Sequence, residues 1–291
     1  VSHSDEISEF LRTRRDRISP QQAGLVAGGR RRVPGLRREE VALLAGLSVD
    51  YYAKMERGDL RGVSPEVLVS LAEALRLDEA ETDHLHDLAA VANRVPPRRR
   101  GAPAAPSVRP ELLLFLDAVT GAPVWVSDET STMVAANDLA RALYSPLLDD
   151  PSNQQNTARF IFLNPASRVF FPDWDQVARN SVASLRQVAG RNPHDKAITN
   201  LIGELVTRSD TFRHEWAAHD VRHHREGTKW INHPEVGVLE LSYLALDLPA
   251  TPRWHGFAYT APVGSPSAEK LQLLASLAAT PTARTKENIH E

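Results

Sequence analysis

The stretch RREEVALLAGLSVDYYAKMERG, residues 37–58, constrains the fold more than any other part of the chain. From Leu36 onward, Val41, Leu44 and Ala45 fall at i, i+3, i+4 spacing, one apolar stripe on a helix. Gly46 follows, where a chain leaving a helix can turn left-handed at little cost. Leu47 packs into that turn, and Ser48 suits the N-cap of a second helix. Two helices joined by a short glycine-containing turn are the helix-turn-helix layout.

At 100° per residue the second helix sorts into two faces. Ser48, Tyr52 and Met55 fall together, with Tyr51 beside them, and form the face to bury. Asp50, Ala53, Lys54 and Arg57 point the other way, with Val49 on the flank. In a helix-turn-helix the outward face of the second helix enters the major groove. Arg38, Val49, Asp50, Tyr51 and Lys54 are therefore the candidates for base edges. An aspartate accepts from cytosine N4–H₂, and a valine meets a thymine methyl. Arg30, Arg31 and Arg32 of the loop GRRRVPG, with Arg37, Ser48 and Arg57, are the candidates for phosphate. Charge agrees with this: residues 10–62 hold twelve Lys and Arg against six Asp and Glu, whereas residues 101–291 hold seventeen against twenty-one.

Three more helices complete a five-helix, all-α head. ISEFLRTRRDRI turns Ile7, Phe10, Leu11 and Ile18 inward. SPEVLVSLAEAL offers Ser64 as N-cap and Pro65 at the first helical position, with Val67, Leu68, Leu71 and Leu75 inward. DEAETDHLHDLAAVA opens with Asp78 and Glu81 in a capping-box pair.

Residues 94–108, RVPPRRRGAPAAPSV, hold four prolines and four arginines and no core-forming run. They read as a semi-extended, solvated linker. The expected domains are thus 1–93, the linker, a second domain over 109–280 and a tail over 281–291. The chain has 291 residues, enough for two domains, and no cysteine, which excludes disulfides and thiol chemistry. Nothing resembles a signal peptide or a membrane span, so the expected location is the cytoplasm.

The second half alternates in kind. RPELLLFLDAVT reads as an amphipathic helix with Leu113, Leu114, Phe115 and Leu116, and PVWVSD and STMVAAN read as a hairpin. Helical patterns follow in DLARALYSPLL, DWDQVARNSVASLRQVAG, DKAITNLIGELVTRS and DTFRHEWAAHD. TKWINHP, GVLELSYLALDL and WHGFAYTAP return to strand, and SPSAEKLQLLASLAA closes with a helix. Two strands, a helical middle and three strands predict an α+β, PAS-like domain with a five-stranded antiparallel sheet.

The strings GGRRRVPGLRREEVALLAGLSVDYYAKMERG and SPEVLVSLAEALRLDEAE are similar to the Xre/Cro-type head of the MmyB-like transcription regulators. NPASRVFFPDWDQVARNSVASLRQVAGRNPHD, EWAAHDVR, GTKWINHPEVGVLELSY and GSPSAEKLQLL resemble the ligand-binding domain of the same family. The resemblance implies transcription controlled by a small apolar ligand of fatty-acid type in a PAS-like domain. An acyl chain needs an apolar, concave wall. Trp125, Phe160, Phe162, Phe171, Trp174, Trp216 and Tyr243 are the candidates for it, with Phe170 nearby. Arg186, His219 and Arg222 are the candidates for a carboxylate head.

HEWAAH, residues 214–219, sets its histidines at i and i+5, about 140° apart, so it is not a zinc-protease motif. His219 and His223 have i, i+4 spacing but no evident third ligand. No metal and no enzymatic activity are expected, and no cofactor other than a bound fatty acid or similar apolar small molecule. The expected partners are double-stranded DNA and a second copy of the chain, with no membrane. Two alternatives stay open: a C-terminal domain that serves dimerisation only, and one that binds metal or catalyses.

Overall fold

A computed structural model describes residues 3–25, 35–93, 108–193, 195–218, 226–248, 251 and 253–279. Five helices form the head: α1 (His3–Arg17), α2 (Arg38–Leu44), α3 (Val49–Glu56), α4 (Pro65–Ala74) and α5 (Glu79–Ala92). Ile7, Phe10 and Leu11 of α1 are wholly buried, each burial contributing about 2 kcal/mol. They join Leu36, Val41, Tyr52, Met55, Leu71 and Leu88 in one core. Asp78 and Glu81 close the capping box of α5, with bonds of 2.8 and 3.2 Å between each side chain and the other's N–H.

One expected stripe is rotated. Val41, Ala42 and Ala45 face the core, while Leu43 is 72% and Leu44 38% exposed. Val41 and Ala45 are buried as the i, i+4 spacing predicts, and the small side chain of Ala42 takes the place expected of Leu44.

The rest of the described chain runs α6 (Pro110–Ala118), β1 (Val124–Asp128), β2 (Met133–Ala136), α7 (Asp138–Leu143), α8 (Ser145–Leu148), α9 (Thr157–Leu163), α10 (Ala166–Phe170), α11 (Trp174–Arg191), α12 (Lys196–Arg208), α13 (Asp210–Ala217), β3 (Glu226–His233), β4 (Gly237–Asp247), β5 (Trp254–Thr260) and α14 (Pro266–Ala279). The five strands pair antiparallel in the order β2-β1-β5-β4-β3, as expected of a PAS-like sheet. Among the described residues no helix is long and apolar enough to cross a membrane.

Alternation divides the sheet into two faces. Val124, Val126 and Trp254 pack with Ala135 and with Leu116 of α6. On α6 the expected apolar stripe is narrow: Leu116 is buried, whereas Leu113, Leu114 and Phe115 are exposed. The other face carries Trp125, Phe257, Tyr259, Tyr243 and Lys229. Register sets Trp125 opposite Phe257, Tyr243 opposite Tyr259, and Lys229 opposite Leu241.

The chain forms two compact units, Val1–Ala102 with Arg179–His223, and Pro103–Ala178 with His224–Glu291. The sequence division at 1–93 and 109–280 is contiguous, whereas these units interleave. The reason is side-chain contact: Arg186 of α11 pairs with Glu6 of α1 at 2.8 Å, and Arg191 with Asp87 of α5 at 2.6 Å.

Candidate DNA interface and ligand face

The helix pair is built from its caps. Glu40 accepts the Arg37 N–H at 2.6 Å, which starts α2. Gly46, at φ +67°, ends it: Gly46 N–H donates to Leu43 O at 3.2 Å and Leu47 N–H to Ala42 O at 2.8 Å. That double bond pattern is the Schellman turn. Ser48 Oγ then accepts the Tyr51 N–H at 3.2 Å and caps α3.

α3 buries Tyr52, Met55 and Glu56, with Tyr51 partly buried against the same core. Val49, 46% exposed, lies outward with Asp50, Lys54 and Arg57. Glu56 fixes the helix: its carboxylate lies 3.0 Å from Arg15 Nη2 and 2.8 Å from Arg38 Nε. That pairing raises the Arg38 guanidinium above its ordinary value. Three helices therefore meet at one buried carboxylate. Sequence reasoning passed over it, although Glu56 directly follows the buried Met55.

Asp50 forms no ion pair among the described residues; Lys54 lies 3.5 Å from Asp59 instead. Arg61 grips Asp59 with two bonds of 2.8 Å, holding that carboxyl well below the usual range. Asp50 sits in the first turn of α3, where the helix dipole favours a negative charge. Arg37 faces Glu39 at 3.3 Å, and Ser48 and Arg57 are exposed. Arg30, Arg31 and Arg32 lie outside the described residues.

The sheet brings several of the expected pocket residues onto one aromatic face. Trp125 meets Tyr144, Phe257 and Tyr259 with ring centroids 5.0, 5.4 and 4.7 Å away. Tyr144 leads to Phe170 at 5.7 Å, and Phe170 to Phe160 and Phe171 at 5.6 and 4.8 Å. Tyr243 meets Tyr259 at 6.1 Å. The hydroxyls of Tyr144 and Tyr259 share a 2.8 Å hydrogen bond, and burial raises both phenols above their ordinary value. Burial, with the charge of Glu226, pushes Tyr243 up to about 12.

Phe162 and Trp174 pair at 6.2 Å, and Arg168 lies 3.7 Å over the Trp174 ring. The Trp174 indole N–H donates to Ile161 O and Ser167 Oγ, both at 3.1 Å, so this tryptophan ties α9, α10 and α11 together. His233 Nδ1 accepts the Glu235 N–H at 3.2 Å, which leaves Nε2 to donate to Ala142 O at 3.0 Å.

Arg186 and Trp216 belong to the other unit. Arg186 is buried, pairs with Glu6, donates to Trp216 O and lies 4.2 Å over the Trp216 ring. Trp216 lines a cavity of about 110 Å³ with His3, Glu6, Gly190, Asn192 and Ile198. That volume suits a few waters and falls short of the roughly 300 Å³ at which ligand pockets begin. His219 and Arg222 lie outside the described residues. A second cavity, about 450 Å³, opens between α6, α7 and α14, and Asp117 and Asp138 on its wall make it a poor host for an anion.

The residue that sequence reasoning missed here is Lys229. Its ammonium lies 5.7 Å from the Phe171 ring centroid, 5.5 Å from Tyr243 and 5.6 Å from Tyr259. Burial lowers it to about 8. The signal was present in TKWINHP: Lys229 shares strand parity with the buried Ile231 and His233.

A capped helix pair with a locked, outward-facing second helix, joined to an aromatic-faced sheet domain, defines a helix-turn-helix regulator with an α+β sensor. The comparisons agree. A model for a helix-turn-helix domain matches residues 6–85, and one for the MmyB-like transcription regulator ligand binding domain matches residues 108–274. The latter covers more than half of the chain, which belongs to the MmyB-like transcription regulator family. No curated protein matches it. Both matched families are regulatory rather than enzymatic, and the chain is a ligand-regulated, DNA-binding transcription regulator.

Proposed function

We propose that the chain reads a specific DNA sequence as a cytoplasmic homodimer, and that a fatty-acid-like molecule held against the aromatic face controls it. The observation that carries the DNA half is the presentation of α3. Tyr52, Met55 and Glu56 lock it inward, which leaves Val49, Asp50 and Lys54 toward a groove. A single head reads a short site, so two heads on two half-sites give the needed length. The continuous chain of rings from Phe257 to Phe171 supports an apolar ligand. Control by that ligand requires that it favour one state of the protein over another.

Lys54→Ala is expected to weaken binding to a matched operator about tenfold and to leave scrambled DNA nearly unchanged, the mark of a lost base contact. Arg57→Ala is expected to weaken both alike and to flatten the salt dependence. Anisotropy titrations on the two duplexes read both variants, and equal losses for Lys54→Ala would sink the groove assignment. Native mass spectrometry of the full chain reports ligand and oligomer together. A second reading, a C-terminal domain that only dimerises, draws on the exposed Leu113, Leu114 and Phe115 of α6. A dimer that carries and takes up no lipid would favour it.

A further inference from the structure

We infer that Lys229 is the charge receptor of the ligand site, taking the carboxylate of an apolar monocarboxylate whose body lies along the aromatic face. This rests on the reading of that face as a binder of apolar molecules and adds the residue that receives the ligand's charged end.

The strand pleat turns Lys229 to the same side as Ile231 and His233. Three rings from three segments surround its ammonium: Phe171 after α10, Tyr243 on β4 and Tyr259 on β5. Ring faces attract a cation electrostatically. They do not saturate an ammonium, which has three N–H donors and needs acceptors with lone pairs. Among the described residues Lys229 forms neither an ion pair nor a hydrogen bond.

The polar groups nearby are otherwise engaged or uncharged. Tyr259 shares its hydroxyl with Tyr144, and Tyr243 stays a neutral phenol through the physiological range. His233 uses both ring nitrogens, on Glu235 N–H and Ala142 O. Glu226, earlier on the same strand, bears on Tyr243 and makes no ion pair with Lys229. Lys229 is half-buried, and a cation that packs against ring faces with no anion paired to it among the described residues is open to a carboxylate, which makes charge-assisted hydrogen bonds to it. The carboxylate also cancels the charge. One cation among three rings balances one negative charge, which favours a carboxylate over a phosphate dianion.

The test is calorimetric titration of the full-length protein at pH 7 with decanoate and with decan-1-ol, probes of equal chain length that differ in charge. The wild type is expected to bind decanoate at least tenfold tighter than the alcohol. Lys229→Gln should lose that preference while binding the alcohol as before, which also shows that the variant is folded. Lys229→Arg, which keeps the charge, should retain most of the preference. Decanoate preference that survives in Lys229→Gln, or a wild type that binds both probes equally, overturns the receptor and leaves the apolar site standing. A wild type that binds neither probe overturns both.

Discussion

Lys229 holds its charge half-buried among three rings, and that gives stability a measurable pH dependence. Burial lowers the folded-state value to about 8 from an ordinary 10.5. Between those values the unfolded chain keeps a proton that the native protein has shed. Unfolding therefore takes up a proton, and stability rises with pH in that window. The buried tyrosines act in the opposite sense. Their phenols are raised from 10.0, so the stability tied to them is lost above about pH 10. Without added ligand, the melting temperature of the wild type should climb from about pH 8 to about pH 9.5. Lys229→Met should flatten that climb, and an unchanged slope would show that the ammonium is solvated. Asp50 belongs to the same scale. A negative charge on the outward face of the second helix of a helix-turn-helix looks misplaced until the first-turn position is counted, where the helix's own N–H groups favour it.

At the scale of the element, α3 owes its orientation to one carboxylate shared between two other helices. Glu56 is buried, and Arg15 and Arg38 reach it from α1 and α2. Glu56→Gln keeps the shape but takes the buried charge away from Arg15 and Arg38, leaving Arg15 only the more exposed Asp16 at 3.0 Å. Removing one partner of a buried pair costs about 3 kcal/mol. Chemical denaturation should show a loss of that order, together with weaker operator binding because α3 is no longer held. A loss below about 0.5 kcal/mol would mean that the pair is solvated. The caps of this element were legible in the sequence because they are local: Gly46, Ser48 and the Asp78–Glu81 box lie within four residues of what they bond. Glu56 was not, because its partners lie 41 and 18 residues away. The short helices α9 and α10 were missed for another reason: at seven and five residues they are too brief to show a period. The strand alternation that places Trp125 and Tyr243 on one face was readable, while the ring network they enter depends on register between distant strands.

At the scale of the whole molecule, α11 to α13 carry sequence that matches a ligand-binding domain, yet from Arg179 on they pack with the N-terminal helices. No local pattern announces the pairing of Arg186 with Glu6, or the packing of Trp216 under Arg186. Two glycines test the packing with opposite signs. Gly190 of α11 faces His84 of α5, and a Cβ there would stand 2.6 Å from the imidazole Cε1. His84 is wholly buried and wedged edge-on against Phe10, so it has no room to yield. Gly203 of α12 meets nothing within 4 Å. In a helix, alanine gains about 1 kcal/mol over glycine. At Gly203 that gain stands alone, and Gly203→Ala should raise the melting temperature by about 3 °C in a unit of this size. At Gly190 it competes with an overpacking cost of about 1–3 kcal/mol, and the clash wins because the neighbour is enclosed. Gly190→Ala should therefore lower the melting temperature. If both variants stabilise alike, α11 does not rest on His84, and the union of these helices with the head is wrong.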